Sequence, residues 1–239
     1  MLPIARSELI QIFRNRAVLI TSLIMPLAAA AFFIYRRDAF ETLGSLGYIG
    51  AILVFTIAAF TLYATTVTTL AARRQDLFLK RLRSTAAGDT AILTGLVLPV
   101  SAVSLVQVAL VLGAFMALSG APADPLLLVV AIVATFVMML ALAIATAGIT
   151  NSPEHAQVTS LPLSLGVVVL ASWIGLTGTE DLALLKRVLP GGAATELVIN
   201  AWNGGVPLTE SLLLLAPTLG WVVVAVALAS RMFRWEPRR

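Results

Sequence analysis

What most constrains this chain is where it carries no charge. Residues 17–35, 42–72, 90–123, 125–153, 156–179 and 211–230 contain no Asp, Glu, Lys, Arg or His. A helix needs about 20 apolar residues to cross a hydrocarbon core, and each of the six intervals is near that length or longer. One charge at mid-span would cost about 2.5–3.5 kcal/mol, which accounts for where the charges are kept. Only 12% of the 239 residues are charged, against about 25% in a soluble domain. The sequence therefore predicts an all-α integral membrane protein, a single transmembrane domain over 1–239. Its six spans fall at 17–35, 46–72, 92–118, 126–149, 157–178 and 211–230.

Missing residue types exclude several chemistries. There is no Cys, so disulfides, thiolate metal sites and thiol catalysis are out. His155, the one histidine, cannot make a metal site alone. The formal net charge of +4 would suit nucleic acid in a soluble protein, but in a membrane protein the placement of the cations matters more than their sum. No nucleic acid and no cofactor or metal of its own is expected. The N-terminal residues do not read as a cleavable signal, since no short apolar core with a small-residue cleavage site follows them.

Six spans put both termini on one side. That side holds Arg6, Arg14, Arg16, Arg73, Arg74, Lys80, Arg81, Arg83, Arg231, Arg234, Arg238 and Arg239, against Arg36, Arg37, Lys186 and Arg187 on the other. Lys and Arg accumulate in cytoplasmic loops. The split predicts a multi-pass protein of the cytoplasmic (inner) membrane with both termini and the 73–91 loop in the cytoplasm. Before the first span, residues 1–16 form an amphipathic pattern. Leu2, Ala5, Leu9, Ile12 and Phe13 share one face, and Arg6, Glu8, Gln11 and Arg14 the other. This predicts a helix lying in the membrane interface, either as an anchor or as a lever toward a cytoplasmic partner.

Residues 179–210 are neither a tight turn nor a full span. Apolar runs around Leu182–Leu189 and Ala193–Trp202 are broken by Pro190-Gly191-Gly192 and Asn203-Gly204-Gly205, and such pairs end helices. Two short outer-side helices are expected, dipping into the outer leaflet or packing over the span ends. Non-helical backbone at that depth must be buried in protein or line a wet cavity.

The cationic stretch "RRQDLFLKRLRST", Arg73 to Thr85, is the largest cytoplasmic feature. On a helix Phe78 and Leu82 stand at i and i+4 with Leu79 alongside, and Lys80, Arg81 and Arg83 surround that edge. Such a helix serves either as an anchor on phospholipid headgroups or as a docking element. In the second case exposed Leu and Phe enter a partner's groove while the cations meet acidic residues.

This stretch resembles the loop after the second span in ABC-2-type transporter permeases, whose pattern is of the sort G-x-L-(K/E)-R-L-R-x-T-P-L. Leu79, Lys80, Arg81, Leu82, Arg83 and Thr85 match it. The usual Gly is replaced by Phe78 or its neighbour, and the usual Pro by Ala86. "LPGGAATELVINAWNGG" is similar to the same family's region before the last span. The resemblance implies an ATP-driven exporter permease whose coupling helix, with Leu77, Phe78, Lys80, Arg81, Leu82 and Arg83, seats an ATP-binding cassette ATPase subunit. No G-x-x-x-x-G-K-[ST] loop occurs, so ATP and its Mg²⁺ would be bound by that separate subunit, and this chain would be no enzyme by itself. Six spans make half of the family's pathway, which implies a second copy or a related permease.

Within the spans, Thr61, Thr65 and Thr68 share one face of an ideal helix, and Ser160 and Ser164 flank Pro162. Hydroxyls of this kind pack helices closely. In the family's arrangement they would instead line a mostly apolar route at the subunit interface, suited to an amphiphilic substrate such as a drug, lipid or glycolipid. Two other classes compete. An intramembrane enzyme would draw on Ser152, Glu154 and His155, although Ser152 as a cap, Pro153 in the first turn and Glu154 behind it explain the same residues as a helix start. An ion-coupled secondary transporter would use a break at Pro162, where no ionisable partner accompanies it.

Overall fold

A computed structural model of the chain describes residues 10, 20–84, 88–233 and 235. Apart from Ile10, the predicted interfacial helix over 1–16 lies outside the described residues, as do Thr85, Ala86 and Ala87 of the cationic loop. Every regular element among those described is helical.

The first apolar segment, α1, begins as a π-turn over Ile20–Ile24 and continues as Met25–Tyr35. A short α2, Arg37–Leu43, leads to α3, Leu46–Gln75, whose middle over Ala58–Ala64 is wound as a π-helix. The basic stretch forms α4, Phe78–Arg83. Three long helices follow: α5, Asp89–Ser119; α6, Pro125–Ile149; and α7, Pro153–Thr177. Then come α8, Ala183–Val188, α9, Gly192–Asn203, and α10, Leu208–Met232, the last with an irregular turn at Leu214. Five helices are long and apolar enough to cross a membrane, and Ser22–Tyr35 is a shorter apolar helix beside them. The chain is an all-α multi-pass membrane protein. The basic loop is shorter than 73–91, because α3 continues to Gln75 and α5 already starts at Asp89.

The central element is α3. Its residues from Gly47 to Ala59 are all buried, packed by α1, α5, α6, α7 and α9. In a bilayer helices gain nothing from leaving lipid as such, so association rests on close van der Waals contact, which small residues permit. Gly47, Gly50, Ala51, Ala58 and Ala59 supply that on α3, and Ala131, Ala134, Ala141, Ala143, Ala145 and Ala147 on α6. Farther along α3 the half-exposed positions recur at Phe60, Ala64, Thr68 and Ala72. At i, i+4 spacing these make one narrow stripe.

Each end of the bundle is pinned. At one end Ser45 caps α3 through the Tyr48 N–H at 3.1 Å, Asn203 accepts from the Gly47 N–H at 3.0 Å, and Asp124 N–H donates to the Ala201 carbonyl at 2.9 Å. At the other, Arg74 is buried at 1% exposure and donates to the Ala147 carbonyl at 3.0 Å and to the Thr150 carbonyl. A cation on the last carbonyls of α6 complements the negative end of that helix. The 30 residues of α3 rise roughly 45 Å at 1.5 Å per residue. That matches a bilayer with its headgroup layers, ~40–45 Å. Asp124 and Ser45 therefore mark one interface and Arg74 the other.

Candidate functional site

Three places collect polar chemistry: the basic end, the middle of α3 and the end opposite the basic one.

At the basic end, α4 is fastened by one side chain. Leu79 is fully buried and packs with Leu70, Ile92, Leu96 and Ala147. Phe78 and Leu82 lean on the rim of that cluster and are half-buried, as are Phe233 and Trp235. The sequence had suggested Phe78 and Leu82 as the exposed apolar pair. The structure exposes Leu77 instead, at 46%, because Phe78 sits under the Arg73 guanidinium and faces the bundle. Leu77, Lys80 and Arg81, with Asp76 and Ser84, border an open hollow of about 610 Å³. Arg81 donates to the Asp76 carbonyl at 2.9 Å. Arg83 is engaged elsewhere, with Asp89 at 3.1 Å and over the Trp235 ring at 5.2 Å. Leu77 has φ +57°, the left-handed region that glycine enters without a steric penalty. In the family pattern given above the Gly stands two places before the Leu that matches Leu79. The neighbour of Phe78 that takes its place is thus Leu77, and it keeps the backbone shape.

The middle of α3 gathers most of the hydroxyls. A π-turn replaces i→i−4 with i→i−5 bonds and disturbs the ladder, and freed groups at membrane depth must find partners. The Thr61 hydroxyl donates to the Ser22 carbonyl in the π-turn of α1, and Gln107 of α5 stands 2.8 Å from it. With one proton on Thr61, the consistent arrangement has the Gln107 amide nitrogen donating back. Ser164 of α7 donates to the Ala59 carbonyl and Thr65 to the Phe60 carbonyl, each at 3.3 Å. Thr61, Thr65 and Ser164 are thus brought together around the π segment and buried. Ser160 is buried on the same inward face of α7, bonded to the Gln157 carbonyl at 3.3 Å. Only Thr68 of the five lies on the half-exposed stripe, with its hydroxyl on the Ala64 carbonyl at 2.9 Å. Thr61 lies within the π segment and Thr68 in the α-helical turns after it, so the ideal-helix projection that grouped them does not hold across the change of winding.

At the opposite end, α8 and α9 form a helical hairpin. Gly191 has φ +93° and meets the Phe55 ring; a Cβ on Gly192 would lie 1.7 Å from the Lys186 carbonyl oxygen. Only glycine allows that approach. Phe55 stands roughly 14 Å along α3 from Leu46, so the hairpin tip reaches below headgroup depth, and α9 climbs back to Gly47. Three charges ride on it. Glu196 accepts from Arg187 Nε at 2.7 Å and Nη2 at 2.6 Å, and from the Thr179 hydroxyl at 3.0 Å. Lys186, 1% exposed, donates to the Thr177 hydroxyl at 2.8 Å and the Gly178 carbonyl at 2.6 Å, and lies 5.0 Å from the Trp173 ring centre. The Glu196 carboxylate raises Arg187 above its usual value, against a desolvation that lowers it. A guanidinium held above its unfolded value stays charged as pH rises through the physiological range, so its side of the pair does not weaken there. Sequence reading counted Lys186 and Arg187 only as outer-side cations and did not pair them with Glu196. Their signal was Lys186-Arg187 facing Glu196 across Pro190-Gly191-Gly192, opposite charges on the two arms of a turn.

The Ser152 hydroxyl accepts from the His155 N–H at 3.3 Å, which is the capping role the sequence assigned it. Among the described residues no group of His, Asp and Glu could hold a metal ion.

The fold is that of a multi-pass membrane protein, a bundle of apolar spans with a basic amphipathic helix at one end and a charged helical hairpin at the other. Residues 3–174 match the ABC-2 type transporter family, and the chain belongs to it. No curated protein and no solved structure matches the chain.

Proposed function

We propose that this chain is the membrane subunit of an ATP-driven exporter, with its basic end in the cytoplasm and α4 as the seat of a separate ATP-binding cassette ATPase. The observation that carries this reading is the division of labour within α4. Leu79 is consumed by the bundle, while Leu77, Lys80 and Arg81 face outward around the hollow. A helix fastened on one side and exposed on the other passes a push from a partner into whatever it is fastened to. Here that is the Leu70–Ile92–Leu96–Ala147 cluster, which joins α3, α5 and α6.

A second permease, a copy of this chain or a relative, completes the pathway. The stripe at Phe60, Ala64, Thr68 and Ala72 and the outward face of α7, where Leu161, Leu165 and Val169 are exposed, supply its contact and an apolar route. The hydroxyls of Thr61, Thr65, Ser160 and Ser164 sit behind that surface and would reach cargo only when α3 and α7 part. Such a route suits an amphiphilic cargo.

Co-purification of the tagged chain from its native membranes in mild detergent tests the reading. A stoichiometric ATPase should accompany the parent and be lost from Leu77→Asp combined with Arg81→Glu, while thermal stability is unchanged. Retention of the ATPase by that variant would sink the docking assignment. Recovery of the parent chain alone in several detergents would sink the exporter assignment.

A further inference from the structure

The hairpin and the start of α10 enclose a cavity of about 380 Å³ that the docking and pathway readings leave unused. Its lining combines the paired Arg187 and Glu196 and the carboxylate of Glu210 with apolar side chains such as Leu213 and Pro217. Pro217 lies roughly 10 Å farther along α10 than Glu210 at helical rise, toward the bilayer interior. Asn200 donates to the Ser211 hydroxyl at 3.3 Å, which ties the Glu210 end of α10 to α9 one turn from Asn203 and hence to headgroup depth. Along the α10 wall the lining thus passes from Glu210 at headgroup depth to Leu213 and Pro217 beneath it, the order of charge and chain in a single amphiphile standing upright in that leaflet.

The charge of the lining selects the headgroup. Arg187 and Glu196 neutralise each other through two hydrogen bonds, so neither offers a net charge to a ligand. Glu210 is exposed, and among the described residues it has no hydrogen-bond or ion-pair partner. One cation and two carboxylates leave the lining at −1.

We infer that this cavity binds the ammonium end of an amphiphile, with Glu210 as its counter-charge and the apolar wall along α10 receiving its chain. The ammonium can come from a membrane aminolipid or from a transported cationic amphiphile. The inference rests on the exporter reading only where the occupant is taken as cargo.

The test uses the full chain in nanodiscs containing both an aminolipid and phosphatidylglycerol, followed by native mass spectrometry. A long-chain alkylammonium is added in one series and the alkyl sulfate of equal length in another. The parent should retain one aminolipid or one alkylammonium per chain in preference to phosphatidylglycerol and the alkyl sulfate. Glu210→Gln should lower that retention roughly tenfold, the size of one charge-assisted contact. Val206→Trp, which fills the cavity without touching a charge, should abolish it.

Equal retention of anionic and cationic amphiphiles, or retention untouched by both substitutions, overturns the inference. Vesicle transport with the ATPase then separates the sources. ATP-driven movement of the alkylammonium that falls in Glu210→Gln identifies cargo; unchanged transport with lost aminolipid identifies a resident lipid. Absence of any ATP-driven transport while retention still depends on Glu210 counts against the exporter reading and leaves the site standing.

Discussion

The chain builds nearly the same six-residue helix twice, as FLKRLR in α4 and ALLKRV in α8. Both are entered through a leucine at φ +57°, Leu77 and Leu182; neither has a side-chain cap, and both carry cations in the last turn. The surroundings separate them. Around α4 one leucine is buried while Lys80 and Arg81 are exposed. Around α8 the cations turn inward, Lys186 onto the end of α7 and Arg187 onto Glu196. The same local grammar thus makes an exposed cationic surface at one end and an internal brace at the other. What differs is burial: Lys186 is 1% exposed, whereas Lys80 and Arg81 lie on the surface.

The sharpest way to break this comparison is at the tip of the brace. In Gly192→Val the new side chain would meet the Lys186 carbonyl, which lies 1.7 Å from where its Cβ must go. The clash involves backbone and has no rotamer escape, so the variant should lose about 3 kcal/mol or more and accumulate poorly in membranes. Gly88→Ala beside α4, where a Cβ meets nothing within 4 Å, should leave the thermal midpoint in detergent unchanged. Equal midpoints for the two variants would show that the hairpin is not braced as described.

Next in size are the ion pairs at the two ends. Glu196→Gln leaves Arg187 facing a neutral amide at a position where the carboxylate is only 11% exposed. Partners lost at buried sites cost about 1–3 kcal/mol. The Arg83–Asp89 pair is about half-exposed on both sides, 54% and 46%, and such pairs are worth roughly 0–1 kcal/mol. Thermal midpoints of Glu196→Gln and Asp89→Asn in the same detergent should therefore differ clearly. A larger loss in Asp89→Asn would reverse the roles assigned to the two ends.

Much of the fold was legible because a bilayer forbids so much. The charge-free intervals located the long helices, and the Pro-Gly-Gly and Asn-Gly-Gly breaks bounded α9. Illegible were the features that depend on winding or on long-range partners. Two π segments, Ile20–Ile24 and Ala58–Ala64, face each other with no local residue signal. Their effect was to turn Thr61 inward and leave Thr68 on the stripe. Arg74 read as one more loop cation, yet α3 continues past it and the C-terminal carbonyls of α6 receive it. The basic stretch was legible as an amphipathic helix, but periodicity does not say which apolar residue the bundle keeps. Contact with Leu70 and Ile92 made that Leu79.

The smallest expected effect addresses the shared entry turn. A non-glycine residue in the left-handed region carries about 1–2 kcal/mol of steric penalty, and the side chains of Leu77 and Leu182 are both largely exposed, at 46% and 61%. Asn enters this region readily because its amide bonds to the local backbone, and it avoids the unfolded-state entropy that Gly would add. Leu77→Asn and Leu182→Asn should each gain about 0.5–1 kcal/mol, read as a small rise in the thermal midpoint. Stability then treats the two turns alike, and partner binding does not. Leu77→Asn removes an apolar side chain from the proposed ATPase seat and should weaken co-purification, whereas Leu182→Asn should leave it intact. If Leu77→Asn raised stability as expected but left the ATPase bound, the leucine in place of the family's glycine would have no docking role, and the seat would narrow to Lys80 and Arg81.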